Sequence, residues 1–189
     1  MVKRLFDVVC AAAGLVVSAP IVALAAVGIK LTDPGPVFYR ARRVGYLGRQ
    51  FTMFKLRTMR SGESDTGPVI TGHGDDRISP IGKILRKTKV DELPQLFNVL
   101  RGDMSIVGPR PERPHFVEQF KHKIPQYMLR HKVKAGITGW AQVNGWRGNT
   151  SIEKRIEYDL YYIENWSVAL DLKIMWLTLL KGFFHKHAY

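Results

Sequence analysis

The chain has 189 residues, of which 46% are hydrophobic and 24% charged, and its 29 Lys and Arg against 16 Asp and Glu give a formal net charge of +13. That composition excludes a disordered chain and a polytopic membrane protein, and the length suits one domain, or one domain with an appended anchor. The excess positive charge calls for an anionic partner: nucleic acid, anionic lipid headgroups or a phosphorylated substrate.

After Lys3 and Arg4 comes the run LFDVVCAAAGLVVSAPIVALAAVGI, residues 5–29, whose one charge is Asp7, and then Lys30. As a straight helix it would reach about 37 Å, enough to cross a hydrocarbon core of about 30 Å. Pro20 removes one helical hydrogen bond and crowds the preceding turn, and Ser18 can offer its hydroxyl to the carbonyls freed there. Neither arm, 5–18 or 21–29, crosses a bilayer alone. Basic residues flank both ends, Lys3 and Arg4 on one side and Lys30, Arg40, Arg42 and Arg43 on the other, so charge gives no reason to place the ends in different compartments. A helix broken at Ser18–Pro20 that enters and leaves by the same face meets both conditions. A kinked transmembrane span, a cleaved signal peptide and a buried core helix are its alternatives. Cys10, the single cysteine, excludes an internal disulfide and a cysteine-built zinc site, and reads as a small buried hydrophobe.

Residues 33–57 read as turn, strand, turn, strand, with GYLG as the hairpin turn and Phe51, Met53 and Leu56 alternating. Residues 60–77 are rich in Gly, Asp, Ser and Thr without a period, which predicts a loop long enough to act as a lid. Ser79 followed by Pro80 opens a helix through about Arg86 or Lys87. Asp91 is placed to cap the next helix, which runs to about Leu100 with Pro94 in its first turn. Residues 102–114 read as irregular. Helices follow at about 113–123 and 126–130, then a glycine-rich loop, GITGWAQVNGWRG, at 136–148, and a helix at 151–165. The tail from Ser167 to Phe184 is an apolar helix with Trp176, Phe183 and Phe184. It is fit either to lie on a bilayer or to pack on the core. The six histidines, His73, His115, His122, His131, His185 and His187, lack metal-ligand spacing and read as surface or phosphate-side residues.

Chemistry concentrates around Asp91–Glu92. Arg86 and Lys87 precede the pair, Arg101 and Asp103 follow, and then comes Gly108-Pro109-Arg110-Pro111. Prolines on both sides restrict the Arg110 backbone, and a guanidinium fork suits phosphate oxygens. Two carboxylates among arginines could bind Mg²⁺, a cation usually shared with substrate phosphates. These parts admit phosphoryl transfer through an acyl-phosphate and equally a metal-assisted hydrolysis.

The run LRKTKVDELPQLFNVLRGDMSIVGPRPERP closely resembles the signature of the bacterial sugar transferases, monotopic polyprenyl-phosphate phosphoglycosyl transferases. KRLFD…SAP, DPGPVFYRARRVG, FTMFKLRTM, KAGITGWAQVNGWRG and YDLYYIENWSVALDLKI extend the likeness over nearly the whole chain. The resemblance implies an α/β fold, mostly helical with a small β-hairpin. Residues 1–31 would form a re-entrant membrane helix. Residues 32–189 would form a compact cytoplasmic catalytic domain with interfacial amphipathic helices, on the cytoplasmic face of the inner membrane. Asp91 would take a sugar 1-phosphate from a UDP-sugar, releasing UMP, and polyprenyl phosphate, typically undecaprenyl phosphate, would then accept it. Glu92 would act as base or metal-site organiser, Mg²⁺ as the metal held by Asp91 and Glu92, and Ser18 and Pro20 as the helix break. Lys55, Arg57, Arg86 and Arg110 would bind phosphate, Asn144 and Arg147 the nucleotide-sugar, with Asp159 at a matching acidic position. For each of these a surface salt bridge is the competing reading.

Two departures stand out. Lys89-Val90 replaces the more usual Ser-Leu before the dyad, which should leave the chemistry unchanged, and the multi-span N-terminal region of longer members is missing, as expected of a short form or a catalytic core. GWRGNT resembles longer relatives that handle glucose 1-phosphate or galactose 1-phosphate, which implies a plain hexose over an N-acetylated one. The resemblance implies membrane lipids as partners, admits a homodimer, and leaves no role for nucleic acid, for which the chain has no recognition pattern.

Overall fold

The computed structural model describes residues 2–60, 75–148 and 150–184. The lid expected at residues 60–77 falls, apart from its ends, outside them.

Helix α1 runs Val2–Thr32 and is long and apolar enough to cross a membrane by length and composition. Helical geometry continues through Pro20 instead of stopping there, and the Ser18 hydroxyl donates to the Leu15 carbonyl at 3.4 Å. The buried positions Asp7, Ala11, Ser18, Ala25 and Ile29 recur every four or seven residues and form one narrow stripe. Around it Leu5, Val9, Val16, Val17, Ile21, Leu24, Val27 and Leu31 are exposed. Small residues on the stripe let neighbours approach closely: Gly14 faces Leu96 and Gly28 faces Ile81.

Both ends of α1 are tied to the rest of the chain. At the start, Lys3 pairs with Asp171 at 2.6 Å, and Arg4 donates to the Val99 and Leu100 carbonyls. Asp7, the lone acid of the apolar run, is 2% exposed and accepts from Ser105 Oγ at 2.9 Å and from the Ile106 amide at 3.0 Å. At the far end Ala25 and Ile29 join a cluster with Leu56 and Leu85, and Arg57 donates to the Asp33 carbonyl at 2.6 Å.

Strands β1 (Phe38–Val44) and β2 (Gln50–Leu56) form the expected antiparallel hairpin, closed by a turn at Tyr46–Gly48. Alternation puts Ala41 and Met53 in the core, beneath the hairpin. Ser79 caps α2 (Pro80–Thr88) by accepting from the Gly82 amide at 3.0 Å. A 3-10 turn at Val90–Glu92 then leads into α3 (Gln95–Arg101), which ends on Gly102 in the left-handed region, where glycine bears no Cβ cost. Asp91 therefore sits in the turn ahead of α3 and does not cap it; Pro94 holds the capping position.

The chain continues through β3 (Met104–Val107), α4 (Pro114–Lys123), a 3-10 segment (Tyr127–Lys132), β4 (Ala135–Thr138), α5 (Trp140–Val143), α6 (Ile152–Glu164) and α7 (Val168–Phe184). The β3 and β4 strands pair in parallel and occupy stretches expected to be irregular and a glycine-rich loop. Each is four residues long and almost wholly buried, so neither shows the alternation by which a half-exposed strand is recognised. Backbones come very close here: a Cβ on Gly136 would collide with the Gly108 amide, while Gly136 itself donates to the Pro109 carbonyl at 2.9 Å.

Helix α7 packs on the core along one side and leaves apolar residues exposed on the other. Asp171 and Ile174 are buried, with Thr178 bonded to Thr138 at 2.6 Å, whereas Leu172, Trp176, Leu179 and Leu180 are exposed. His131, expected at the surface or beside phosphate, is buried against the Tyr127 ring, and burial pushes its imidazole down to about 4.

Gly136→Ala is expected to cost about 1–3 kcal/mol, the range for forcing extra atoms into a packed interior. Thermal unfolding of the detergent-solubilised protein measures it, and an unchanged melting temperature would contradict the packing described at Gly108.

Candidate active site

Three elements converge on Asp91 and Glu92. The β2 strand presents Lys55 on the hairpin's inward face, the turn after α2 carries the two carboxylates, and the loop after β3 carries Arg110. Glu92 Oε1 receives Lys55 Nζ at 2.7 Å and Arg110 Nη2 at 2.6 Å. Asp91 Oδ2 lies 3.7 Å from the same lysine nitrogen. Arg86 donates to Thr58 Oγ1 at 2.8 Å, and its charge reaches Asp91. Two carboxylates thus face four cationic side chains, Lys55, Arg86, Lys89 and Arg110, and the charge of Arg147 acts on Lys89 beside them. That surplus of positive charge fits a polyanionic ligand.

The two carboxylates differ. Burial pushes Asp91 up, against the pull of Lys55, and the Glu92 charge adds to the rise. Burial pushes Glu92 up as well, but Arg110 and Lys55 together outweigh it and hold the carboxyl well below the usual range. Asp91 is thus an enclosed carboxylate of heightened basicity, while Glu92 is held in its ionised form with Oε1 taken by Lys55 and Arg110.

Arg110 is held from behind. Arg130, 2% exposed, donates to the Arg110 carbonyl at 3.0 Å and to Asp159 Oδ2 at 2.6 and 3.0 Å, and its third nitrogen contacts Tyr127 Oη at 3.2 Å. Glu112, two residues after Arg110, pairs with Arg155 at 2.7 Å, and Arg155 also holds the Gly148 carbonyl. Asp159 therefore belongs to a buried ion pair one step behind Arg110. It is neither on the dyad nor in a surface salt bridge.

The other expected residues divide. Lys55, Arg86 and Arg110 stand at the carboxylates, and the charge of Arg147 acts on Lys89 beside them. Arg57 is directed to the link after α1, on Asp33, and Asn144 folds its amide back on the Trp140 carbonyl at 2.8 Å. Ser18 and Pro20 lie within α1. Sequence reasoning missed Arg130 and set Lys89 aside. Lys89 adopts a left-handed φ of 61° at the end of α2, a conformation few non-glycine residues take, and so enters the site. For Arg130 the only signal was its place in a basic stretch.

The donor set also bears on a metal. Among the described residues no group of three or more His, Cys, Asp or Glu could hold one. Asp91 and Glu92 do fit a divalent cation that draws its remaining ligands from substrate phosphates and water, the usual habit of Mg²⁺.

A sequence profile of the bacterial sugar transferases matches residues 1–185. The chain is 48% identical over 193 residues to the UDP-glucose:undecaprenyl-phosphate glucose-1-phosphate transferase of Escherichia coli, covering 100% of this chain and 42% of that protein. It is 45% identical over 181 residues to the Caulobacter vibrioides protein of the same name, with 94% and 68% covered. It is 44% identical over 180 residues to the UDP-N-acetylgalactosamine-undecaprenyl-phosphate N-acetylgalactosaminephosphotransferase of Aeromonas hydrophila, with 94% and 43% covered. The chain thus spans about two fifths of the Escherichia coli and Aeromonas relatives.

Asp159→Asn strips the buried Arg130 of its counter-charge, and breaking such a pair is expected to cost about 3–5 kcal/mol. Replacing both partners, Arg130→Met with Asp159→Leu, should recover much of the stability while leaving the Arg110 carbonyl without its donor. Melting temperatures of the two variants check this; equal losses would contradict it.

Proposed function

The chain belongs to the bacterial sugar transferase family, and on that basis we propose that it transfers a sugar 1-phosphate from a UDP-sugar to undecaprenyl phosphate through an aspartyl-phosphosugar. The observation that carries the proposal is the enclosed Asp91 beside a Glu92 whose charge is already taken by Lys55 and Arg110. An Asp91 oxygen attacks the phosphorus bonded to the sugar, the bond to the uridine phosphate breaks, and UMP leaves with the electron pair. An oxygen of undecaprenyl phosphate then attacks the same phosphorus and expels Asp91, giving the diphosphate-linked sugar. Lys55, Arg86 and Arg110 neutralise charge on the phosphate oxygens. Glu92 acts as organiser of Lys55 and Arg110, since a carboxylate held so firmly ionised is a poor proton acceptor. Mg²⁺ held by Asp91 and Glu92 would supply further charge neutralisation on those oxygens.

The glucose 1-phosphate named for the Escherichia coli and Caulobacter relatives supports a plain hexose as the donor sugar, and the product would open the assembly of a cell-surface glycan. The attachment of both ends of α1 to one domain supports a re-entrant, monotopic anchoring, with the site on the cytoplasmic face. The exposed apolar sides of α1 and α7 would then meet lipid.

Asp91→Asn is expected to abolish UMP release, because an amide cannot serve as the attacking anion; turnover near the wild-type rate would sink the covalent step. Release of sugar phosphate without undecaprenyl phosphate would instead identify a hydrolase, and a panel of UDP-sugars identifies the donor. The pH profile gives a second test. Asp91 must be ionised, and its affinity for the proton is raised, so activity should fall as pH drops through a point above the usual carboxylate range. Lys55→Met removes the main lowering influence and should move that limb to higher pH. Cysteine labels placed before Lys3 and near Asp33 should react from the same side of the membrane, whereas opposite-side labelling would establish a span.

A further inference from the structure

Helix α6 makes two contacts that bracket Arg147. The Tyr158 ring lies 6.0 Å from that of Trp146, the residue before it, and Arg155 Nη2 donates to the carbonyl of Gly148, the residue after it, at 2.7 Å. On the near side α5 also holds the loop, since the Trp146 amide donates to the Ala141 carbonyl at 2.9 Å. Gly148 is exposed and left-handed at φ 67°, and among the described residues nothing lies within 4 Å of the place a Cβ would take, so packing does not fix it. Arg155 itself is firmly placed. It is 8% exposed, and its other terminal nitrogen meets Glu112 Oε1 at 2.7 Å. Glu112 is pinned in turn through its carbonyl, which accepts from the Val44 amide at the end of β1 at 3.0 Å. Arg155 Nε is buried without a hydrogen-bond partner among the described residues. A buried donor left unmade costs free energy, so the guanidinium is turned to two bonds at the expense of a third.

Glu112 stands two residues after Arg110, and Gly148 one residue after Arg147. One guanidinium therefore ties together the two loops that carry these arginines. We propose that Arg155 is a positioning residue for the donor: by holding Glu112 and Gly148 together it sets the spacing at which Arg110 and Arg147 receive the diphosphate of a UDP-sugar. The inference rests on the transferase reading and deepens it. Both arginines act on one point beside the dyad, since each lowers Lys89, which burial pushes down first, while Glu92 and Asp91 oppose them. Arg155 touches no substrate in this arrangement and works through two pieces of backbone. Arginine suits the task because its rigid fork serves a carboxylate and a carbonyl at once, whereas the point charge of lysine serves one or the other. A pair of cations held at a fixed spacing spends less ordering entropy when the diphosphate arrives.

The test uses the full chain in detergent or nanodiscs, with Arg155→Gln, Arg155→Lys, Arg147→Gln and the double variant Arg147→Gln/Arg155→Gln. Losing one charge-assisted bond to phosphate in Arg147→Gln should raise the KM for UDP-glucose about tenfold or more. Arg155→Gln should raise it by a similar factor, with the KM for undecaprenyl phosphate unchanged and kcat changed far less. Glu112 keeps its bond to Val44 in that variant, so the loop at Arg147 is the arm that loosens. The double variant should accordingly be no worse than Arg147→Gln alone. Losses that multiply in the double variant, or a rise confined to undecaprenyl phosphate, overturn the positioning role. So does an unchanged KM for UDP-glucose in an Arg155→Gln that melts like the wild type. Hydrogen exchange needs no turnover: the amides of residues 146–148 should exchange faster in Arg155→Gln, and equal exchange overturns the tether. Should Arg155→Gln fail to fold, Arg155→Lys carries the same comparisons, since lysine cannot serve Glu112 and Gly148 together. Faster exchange in the variant beside a wild type that releases no UMP would overturn the transferase reading and leave the tether standing.

Discussion

One oxygen, Oε1 of Glu92, receives both Lys55 and Arg110, and three separate pieces of chain meet because of it. The hairpin supplies the lysine, the turn after α2 supplies the acid, and the loop after the parallel strands supplies the arginine. An enclosed carboxylate is tolerable only when its charge is answered locally. Here the answer comes from cations that a phosphorylated ligand would also want. Glu92 absorbs part of the charge of Lys55 and Arg110 and holds both side chains in place. Asp91 next door is made more basic, by its burial first and then by the neighbouring Glu92 charge.

Much of this was legible in the chain. The hairpin could be read because Phe51, Met53 and Leu56 alternate around a glycine turn, and α2 because Ser79 and Pro80 announce a capped start. Asp91, Glu92 and Arg110 declared themselves by the density of charge and proline around them. The parallel pair β3 and β4 was illegible: MSIV and AGIT lie in the interior, where nothing forces polar residues to alternate. Tertiary pairing also decided the fates of Asp159 and Asn144, since a buried partner such as Arg130, 29 positions from Asp159, leaves no local signature. Lys89 escaped notice because its influence depends on a left-handed backbone turn that composition does not reveal.

Charge is used in the interior with some consistency. Asp7, Asp159 and Asp171 are each 2% exposed or less, and each accepts hydrogen bonds from elements far away in sequence. Burying such groups costs free energy that apolar residues would not, so their return lies in geometry. Asp171 gathers Lys3, Tyr162 and Trp166. Asp159 fixes Arg130 and, through it, the Arg110 backbone. These buried acids do the joining between helices that expose so much apolar surface that hydrophobic contact alone would define their positions poorly.

Asp7 has a consequence of its own. It grips the Ile106 amide, and Ile106 stands four positions before Arg110 on the same short strand and loop. In the proposed topology α1 would be the element that reads the depth of the lipid phase, and the height of Arg110 above the bilayer would be set by this direct coupling and not by the slack of a linker. A lipid phosphate presented at a fixed level would then meet Arg110 at a fixed level too. In that topology bilayer thickness would become a mechanical input to the proposed chemistry.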